Sequence, residues 1–244
     1  MRIRLPLGRS LFFVCALLLS LAALIPLRLG LAWLGLDQNG VAAREARGSV
    51  WNGALTEAQF GGSELGDLRA GLGLSPLLIG RARVAVERTA GDASAAPQDQ
   101  LEGAVTVTRR GFGFDDFRAR LGAGNAFSPL AMRALALDDV SVRFENGLCV
   151  AAEGLVSAEL GGELGGIALP SSLSGNARCD EGALLLPLTS QSGMEQLNLR
   201  LGAAAVYTLE LIINPGDEAQ AARLANAGFA PGPSGYIFTL AGTL

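Results

Sequence analysis

The sequence predicts a mainly β protein: one N-terminal transmembrane helix, then a sandwich, a barrel or a long curved sheet with a few short helices. Three observations carry this. Ser10 to Leu27 form an 18-residue run without a charge. Behind it, apolar residues recur at every second position in one segment after another. Glycine is abundant, with 33 in 244 residues, and glycine-rich turns cut those segments short.

The N-terminal run comes first. Arg2, Arg4 and Arg9 precede it. At about 1.5 Å per helical residue it spans roughly 27 Å, close to a bilayer core. Arginines held on the cytoplasmic side orient such a helix so that the rest of the chain is translocated. Arg28, then Leu29 to Leu36 with Trp33, extend the helix into the far interface, where an indole ring sits well. Pro26 is either tolerated there or ends the span. Residues 1–9 are therefore expected in the cytoplasm, 10–36 as anchor and interfacial segment, and 37–244 as a β-rich domain on the other side. A cleaved signal is the alternative, with Ser20, Ala22 and Ala23 as small residues; no A-x-A site follows, so an uncleaved anchor is expected. Cys15 lies within the apolar core and reads as a buried thiol.

Strands follow. Ala82, Val84 and Val86 alternate with Arg81, Arg83 and Glu87. Gly103, Val105 and Val107 alternate with Glu102, Thr106 and Thr108. Val140, Val142 and Phe144 alternate with Ser141, Arg143 and Glu145, up to the turn signal Asn146-Gly147. Leu197, Leu199 and Leu201 alternate with Asn198 and Arg200. Tyr207, Leu209, Leu211 and Ile213 run to Asn214-Pro215-Gly216, and Tyr236, Phe238 and Leu240 close the series. These are half-buried antiparallel strands.

Helix signals are few. Asp217 to Ala227 is the strongest, with Asp217 as cap, Leu224 as apolar contact and Gly228 as stop. Ser75-Pro76-Leu77 and Ser128-Pro129-Leu130 each place serine at a cap and proline at the first helical position. Each precedes a strand, which predicts two short helices and a faint repeat. Arg88 to Gln100 lacks large apolar residues and reads as a long loop between two paired strands. The glycines from Gly161 to Gly166 read as turns, since no lysine or helix pattern follows for a phosphate loop.

Composition excludes much chemistry. The chain has no histidine, and every one of its 19 basic residues is arginine. A Ser-His-Asp triad, a histidine-bearing zinc site, a Schiff-base lysine and a phosphate-loop lysine are all ruled out. No cofactor is expected. A net charge of −4 argues against nucleic acid as a partner. Asp115/Asp116 and Asp138/Asp139 are the only candidates for carboxylate chemistry. Neighbours on an extended chain face opposite ways, so these pairs read as turn or strand-end residues and no enzyme is expected. Cys149 and Cys179 both fall in the exported part, where two cysteines are read first as a disulfide. Such a bridge closes about 31 residues and contributes roughly 3.5 kcal/mol in the chain-entropy model. Two buried thiols are the alternative.

The run Ala46-Arg47-Gly48-Ser49-Val50-Trp51-Asn52-Gly53 resembles the opening signature of the type II secretion system protein N family. Leu74-Ser75-Pro76-Leu77-Leu78-Ile79-Gly80-Arg81 resembles its next marker. The Cys179 region from Ser174 to Gly182, then Leu184 to Pro187 and Ser190 to Gly193, and the segment from Ala222 to the last strand also match in kind. Gly48, Ser49, Trp51, Gly53 and Pro76 are the signature positions, and the Cys179 region is the other specific part. The resemblance extends to the AsmA-like group of membrane-anchored envelope proteins.

The resemblance implies an inner-membrane protein with one span and a periplasmic domain, working in export of folded proteins across the outer membrane, without catalytic residues. It implies a twisted antiparallel sheet curled into a groove or open barrel, with Cys149 and Cys179 as the periplasmic pair. It implies partners among the inner-membrane platform and the secretin. A second reading is lipid handling, with Val84, Val86, Val105, Val107, Leu209 and Leu211 lining an apolar groove. Trp51 reads as a buried ring at the base of the domain or as a partner contact.

Overall fold

A computed structural model describes residues 12–29 (except 15, 18, 19 and 22), 41–60, 63–77, 79–88, 101–122, 127–164, 167–202 and 206–243. Arg2, Arg4, Arg9, Cys15, Trp33 and the loop 89–100 lie outside the described residues.

The strands in the first half are β1 (Val41–Ala42), β2 (Glu45–Ser49), β3 (Asn52–Phe60), β4 (Ser63–Leu72), β5 (Ala82–Arg88), β6 (Glu102–Val107), β7 (Gly111–Gly122), β8 (Met132–Glu145) and β9 (Leu148–Leu160). The second half holds β10 (Glu163–Leu164), β11 (Ile167–Ala168), β12 (Ser172–Asn176), β13 (Arg178–Asp180), β14 (Ala183–Ser190), β15 (Glu195–Leu201), β16 (Val206–Ile213), β17 (Ala230–Gly232) and β18 (Gly235–Thr243). Helix α1 (Leu74–Leu77) joins β4 to β5, and α2 (Glu218–Asn226) joins β16 to β17.

Among the described residues, sixteen strands build one antiparallel sheet, ordered β1-β3-β4-β5-β6-β7-β8-β9-β12-β14-β15-β16-β18-β17, with β2 also on β3 and β13 also on β14. Only β10 and β11 stand apart, as a hairpin of their own. Most neighbours in the sheet are neighbours in the chain, so the sheet grows largely by local hairpins. Its first and last strands are not paired with one another, so the sheet is open.

Alternation makes one face of this sheet apolar. Leu72, Val84, Val105, Phe114, Val142 and Ala152 stand opposite one another across five successive ladders. Further on, Leu188, Leu197, Leu211 and Phe238 do the same across three. Burial along that face is uneven. Leu188, Leu197, Leu209 and Leu211 are completely buried. Val84, Val86, Val105 and Val107 are only half-buried.

The difference lies in what covers the face. Over the second half, Phe127, Leu130, Leu164, Ile167, Leu224 and Phe229 join the strands in one large cluster. The Phe127 ring meets Tyr207 edge-on at 5.2 Å, and Phe229 lies 5.4 Å from Phe238. Helix α2 supplies Leu224; Asp217 caps it, its carboxylate accepting from the Gln220 N–H at 2.6 Å. The first half has a thin core of Leu27, Leu55, Ala58, Leu68, Leu101 and Ala119.

One predicted helix is absent. Ser128-Pro129-Leu130 forms a turn, in which the Leu130 N–H donates to the Phe127 carbonyl. Phe127 and Leu130 are both drawn into the large core, and a turn delivers both side chains there. Helix α1 does form, but Leu74 and Leu77 are exposed. The two Ser-Pro-Leu segments thus meet opposite fates, and the repeat they suggested has no structural counterpart.

The acidic pairs are also placed differently from the turn or strand-end position expected of them. They sit in mid-strand bulges of β7 and β8, with Asp116 at φ 52° and Asp139 at φ 56°. Aspartate tolerates this left-handed backbone better than most residues.

Candidate functional site

The Gly48-to-Gly53 signature is a junction. Ser49 and Asn52 end the β2–β3 hairpin ladder, with Val50 and Trp51 at its turn. The Val50 N–H donates to the Ile25 carbonyl at 3.0 Å, and Pro26 forms an antiparallel bridge with Ser49. Leu27, counted in sequence as part of the apolar run, is 6% exposed and packs over Gly53. Burying a leucine this fully contributes about 1.5–3 kcal/mol. The N-terminal segment is therefore seated in the first hairpin.

Signature residues supply the geometry. Gly48 adopts φ +86° and lies so close to Asn52 that a Cβ would stand 2.6 Å from its carbonyl oxygen. At Gly53 a Cβ would stand 2.5 Å from Leu27 Cδ2. Trp51 is half-buried, and its carbonyl faces Gly71 of β4. The Val50 carbonyl in turn accepts from the Leu72 N–H at 2.9 Å. Two backbone hydrogen bonds thus link Ile25 through Val50 to the end of β4, and α1 starts two residues later.

Pro76 shapes the next marker. Its carbonyl accepts from the Ile79 N–H at 3.1 Å and from the Arg81 N–H at 3.0 Å. The resulting tight loop presents Leu74 and Ile79, at 67% and 70% exposure. A depression of about 470 Å³ opens beside it, walled by Pro76, Ile79, Arg81, Arg83, Phe112 and Arg143, among others. Sequence reasoning marked Pro76 but missed the exposure of its neighbours, because Leu-x-x-Leu-x-Ile reads equally well as core.

Cys149, at the start of β9, is bonded to Cys179 of β13, with Cα atoms 5.5 Å apart. Cys149 is buried. Ser190 ends β14, also buried; its hydroxyl and that of Ser192 donate to Glu195 at 2.5 and 2.6 Å. Glu195 was not marked in sequence. A carboxylate gathering two hydroxyls across a hairpin turn is a clasp, and no imidazole is present to activate either serine.

Arginine neutralises the acidic pairs on the polar face. Arg118 reaches Glu102 at 3.2 Å, Asp138 at 3.5 Å and Asp139 at 3.2 Å. These acids push its guanidinium pKa further up, chiefly through the hydrogen bond to Glu102. Arg83 lies 3.8 Å from Asp115 and 3.6 Å from Asp116. Near the junction, Arg47 donates to Glu45 at 2.8 Å and holds that carboxyl below its usual range. Asp115 is half-buried and also accepts from the Thr106 hydroxyl at 2.7 Å; the other groups are substantially exposed, so their pairs contribute little to stability. Among the described residues no group of three His, Cys, Asp or Glu side chains could hold a metal ion.

The six residues proposed to line one groove are divided. Leu209 and Leu211 are sealed in the large core, while Val84, Val86, Val105 and Val107 lie on the thinly covered first half. Phe112, which stacks on Phe144 at 5.0 Å, continues that open strip and is 45% exposed.

These features define a class: a long, open antiparallel sheet with one apolar face, into whose first hairpin an apolar N-terminal segment is built. The family model for type II secretion system (T2SS) protein N matches residues 39–238, and the chain belongs to that family. It is 27% identical, over 253 aligned residues, to type II secretion system protein N of Vibrio cholerae, covering 97% of this chain and 98% of that protein. No solved structure matches.

Proposed function

We propose that this protein is a non-enzymatic inner-membrane component of the type II secretion system. It supports export of folded proteins from the periplasm across the outer membrane by binding other subunits. Family membership over residues 39–238 is the observation that carries this reading. The absence of histidine and lysine and the arginine-neutralised acidic pairs agree with a role in binding rather than catalysis. In this reading the apolar run within 10–36 is a single-pass anchor with Arg2, Arg4 and Arg9 in the cytoplasm, and residues 37–244 project into the periplasm. The inner-membrane platform and the secretin are the proposed partners.

Among the described residues no helix is long and apolar enough to cross a bilayer. Residues 12–14, 16–17, 20–21 and 23 are nonetheless helical, and the Leu24 N–H donates to the Ser20 carbonyl as in a helix. Cross-linking in intact cells at native expression tests the proposal. Secretion subunits should be recovered from photoreactive residues on the β body. Recovery of unrelated proteins alone overturns it.

A further inference from the structure

We propose that α1, with Ile79 and Gly80 beyond it, forms a loop that is a second membrane contact, seating the β body on an anionic phospholipid surface beside the exit of the N-terminal segment. The inference rests on the anchor reading given above.

Three independent observations carry it. The first is apolar exposure: Leu74, Leu77 and Ile79 project from one tight loop at 67%, 37% and 70% exposure. Such a cluster on one short loop is not covered by any other element among the described residues. The second is position. Ile25 binds Val50, Val50 binds Leu72, and Leu72 leads directly into the loop. The loop therefore emerges beside the point where the apolar segment meets the sheet, and a bilayer holding that segment lies within its reach. The third is charge. Arg81 and Arg143 flank the loop across the same depression, and neither has an ion-pair partner among the described residues. Arg83, beside them, is engaged by Asp115 and Asp116. Glu145 also borders the depression.

Aliphatic side chains flanked by arginines that have no ion-pair partner among the described residues match the interfacial region of a bilayer. The apolar groups enter the acyl boundary by roughly 5–10 Å, and the guanidinium groups meet lipid phosphates. A protein partner needs no such coincidence with the exit of the apolar segment, so the lipid surface is the occupant proposed.

The test uses the full chain in vesicles of phosphatidylcholine and phosphatidylglycerol with dibrominated acyl chains. A bimane label is placed through Ile79→Cys or Met194→Cys, each in a Cys15→Ser background with the native disulfide kept oxidised. Met194 is the control, because it is also an exposed apolar residue, at 52%, but lies on the β14–β15 turn at the other end of the strands. Bromine quenching at position 79 should exceed that at position 194 by about threefold or more, as expected for a group at the acyl boundary. Equal quenching, with the chain still resisting alkaline carbonate, overturns the seating and leaves the anchor intact. Release of the chain by carbonate removes the anchor reading and the proposal with it.

Discussion

A Cβ at position 53 would stand 2.5 Å from Leu27 Cδ2, and 3.0 and 3.1 Å from the carbonyl oxygens of Ser49 and Arg47. The leucine end is flexible, but the two carbonyls belong to the β2 ladder and cannot yield. Gly53→Ala should therefore displace Leu27 and strain the hairpin, at a cost of about 1–3 kcal/mol. Leu27→Ala should cost about 2–3 kcal/mol by loss of burial. The double variant should cost less than the sum by roughly 1 kcal/mol, since the alanine at 27 makes the room that the alanine at 53 needs. Thermal unfolding of the detergent-solubilised chain measures all three, at about 2–4 °C per kcal/mol for a protein of this size. Additive losses would mean that the two residues do not share a contact. Trp51, the other large residue of the turn, acts through its backbone: a Cβ at Gly71 would stand 2.9 Å from the Trp51 carbonyl oxygen, so that close approach requires glycine on β4.

Among the elements, β12 and β13 show how the disulfide works. β12 runs along β9 from Ser172 to Asn176, and the Ala177 N–H still reaches the Gly154 carbonyl. There the ladder ends, and β13 pairs only with β14. The Cys149–Cys179 bond, with the Cys149 N–H donating to the Gly182 carbonyl, returns β13 to β9 beyond the break. Opening the bond by Cys149→Ala with Cys179→Ala removes a cross-link over a sequence separation of 30 and should cost about 3.5 kcal/mol in the chain-entropy model. A shift in the denaturation midpoint of less than about 0.5 kcal/mol equivalent would mean that the β13–β14 hairpin holds its place unaided. Local signals made several elements legible. Asp217, Leu224 and Gly228 mark α2, and Asn146-Gly147 marks the β8–β9 turn, because cap and turn chemistry act within a few residues. The turn at Ser128 was not legible, since the large core decides it through Phe127 and Leu130. Nor were the bulges at Asp116 and Asp139, which answer to the register of neighbouring strands.

The molecule as a whole is unevenly built. Period-two alternation announced the sheet and its apolar face, yet alternation is identical where that face is sealed and where it is half open. Val84 and Leu209 read alike in sequence and differ in burial, because most of the covering residues, Phe127, Leu164 and Ile167, come from segments 40 or more positions from Leu209. The candidate site was legible in part for the same reason. Gly48, Trp51, Gly53 and Pro76 stood out by type, whereas Leu27 and Ile79 are ordinary aliphatics whose roles depend on position alone. This unevenness sets the order of opening. Exchange from a strand requires exposing what its side chains bury, so amide hydrogens in β14, β15 and β16 should open only with global unfolding. Those in β4, β5 and β6, backed by a thin core, should open through smaller fluctuations and exchange at least about tenfold faster, a gap of about 1.4 kcal/mol. Hydrogen exchange followed by mass spectrometry on the detergent-solubilised chain resolves the two regions. Uniform protection from β3 to β18 would show that the antiparallel ladder, growing by successive hairpins, couples both halves into one cooperative unit despite their unequal cores.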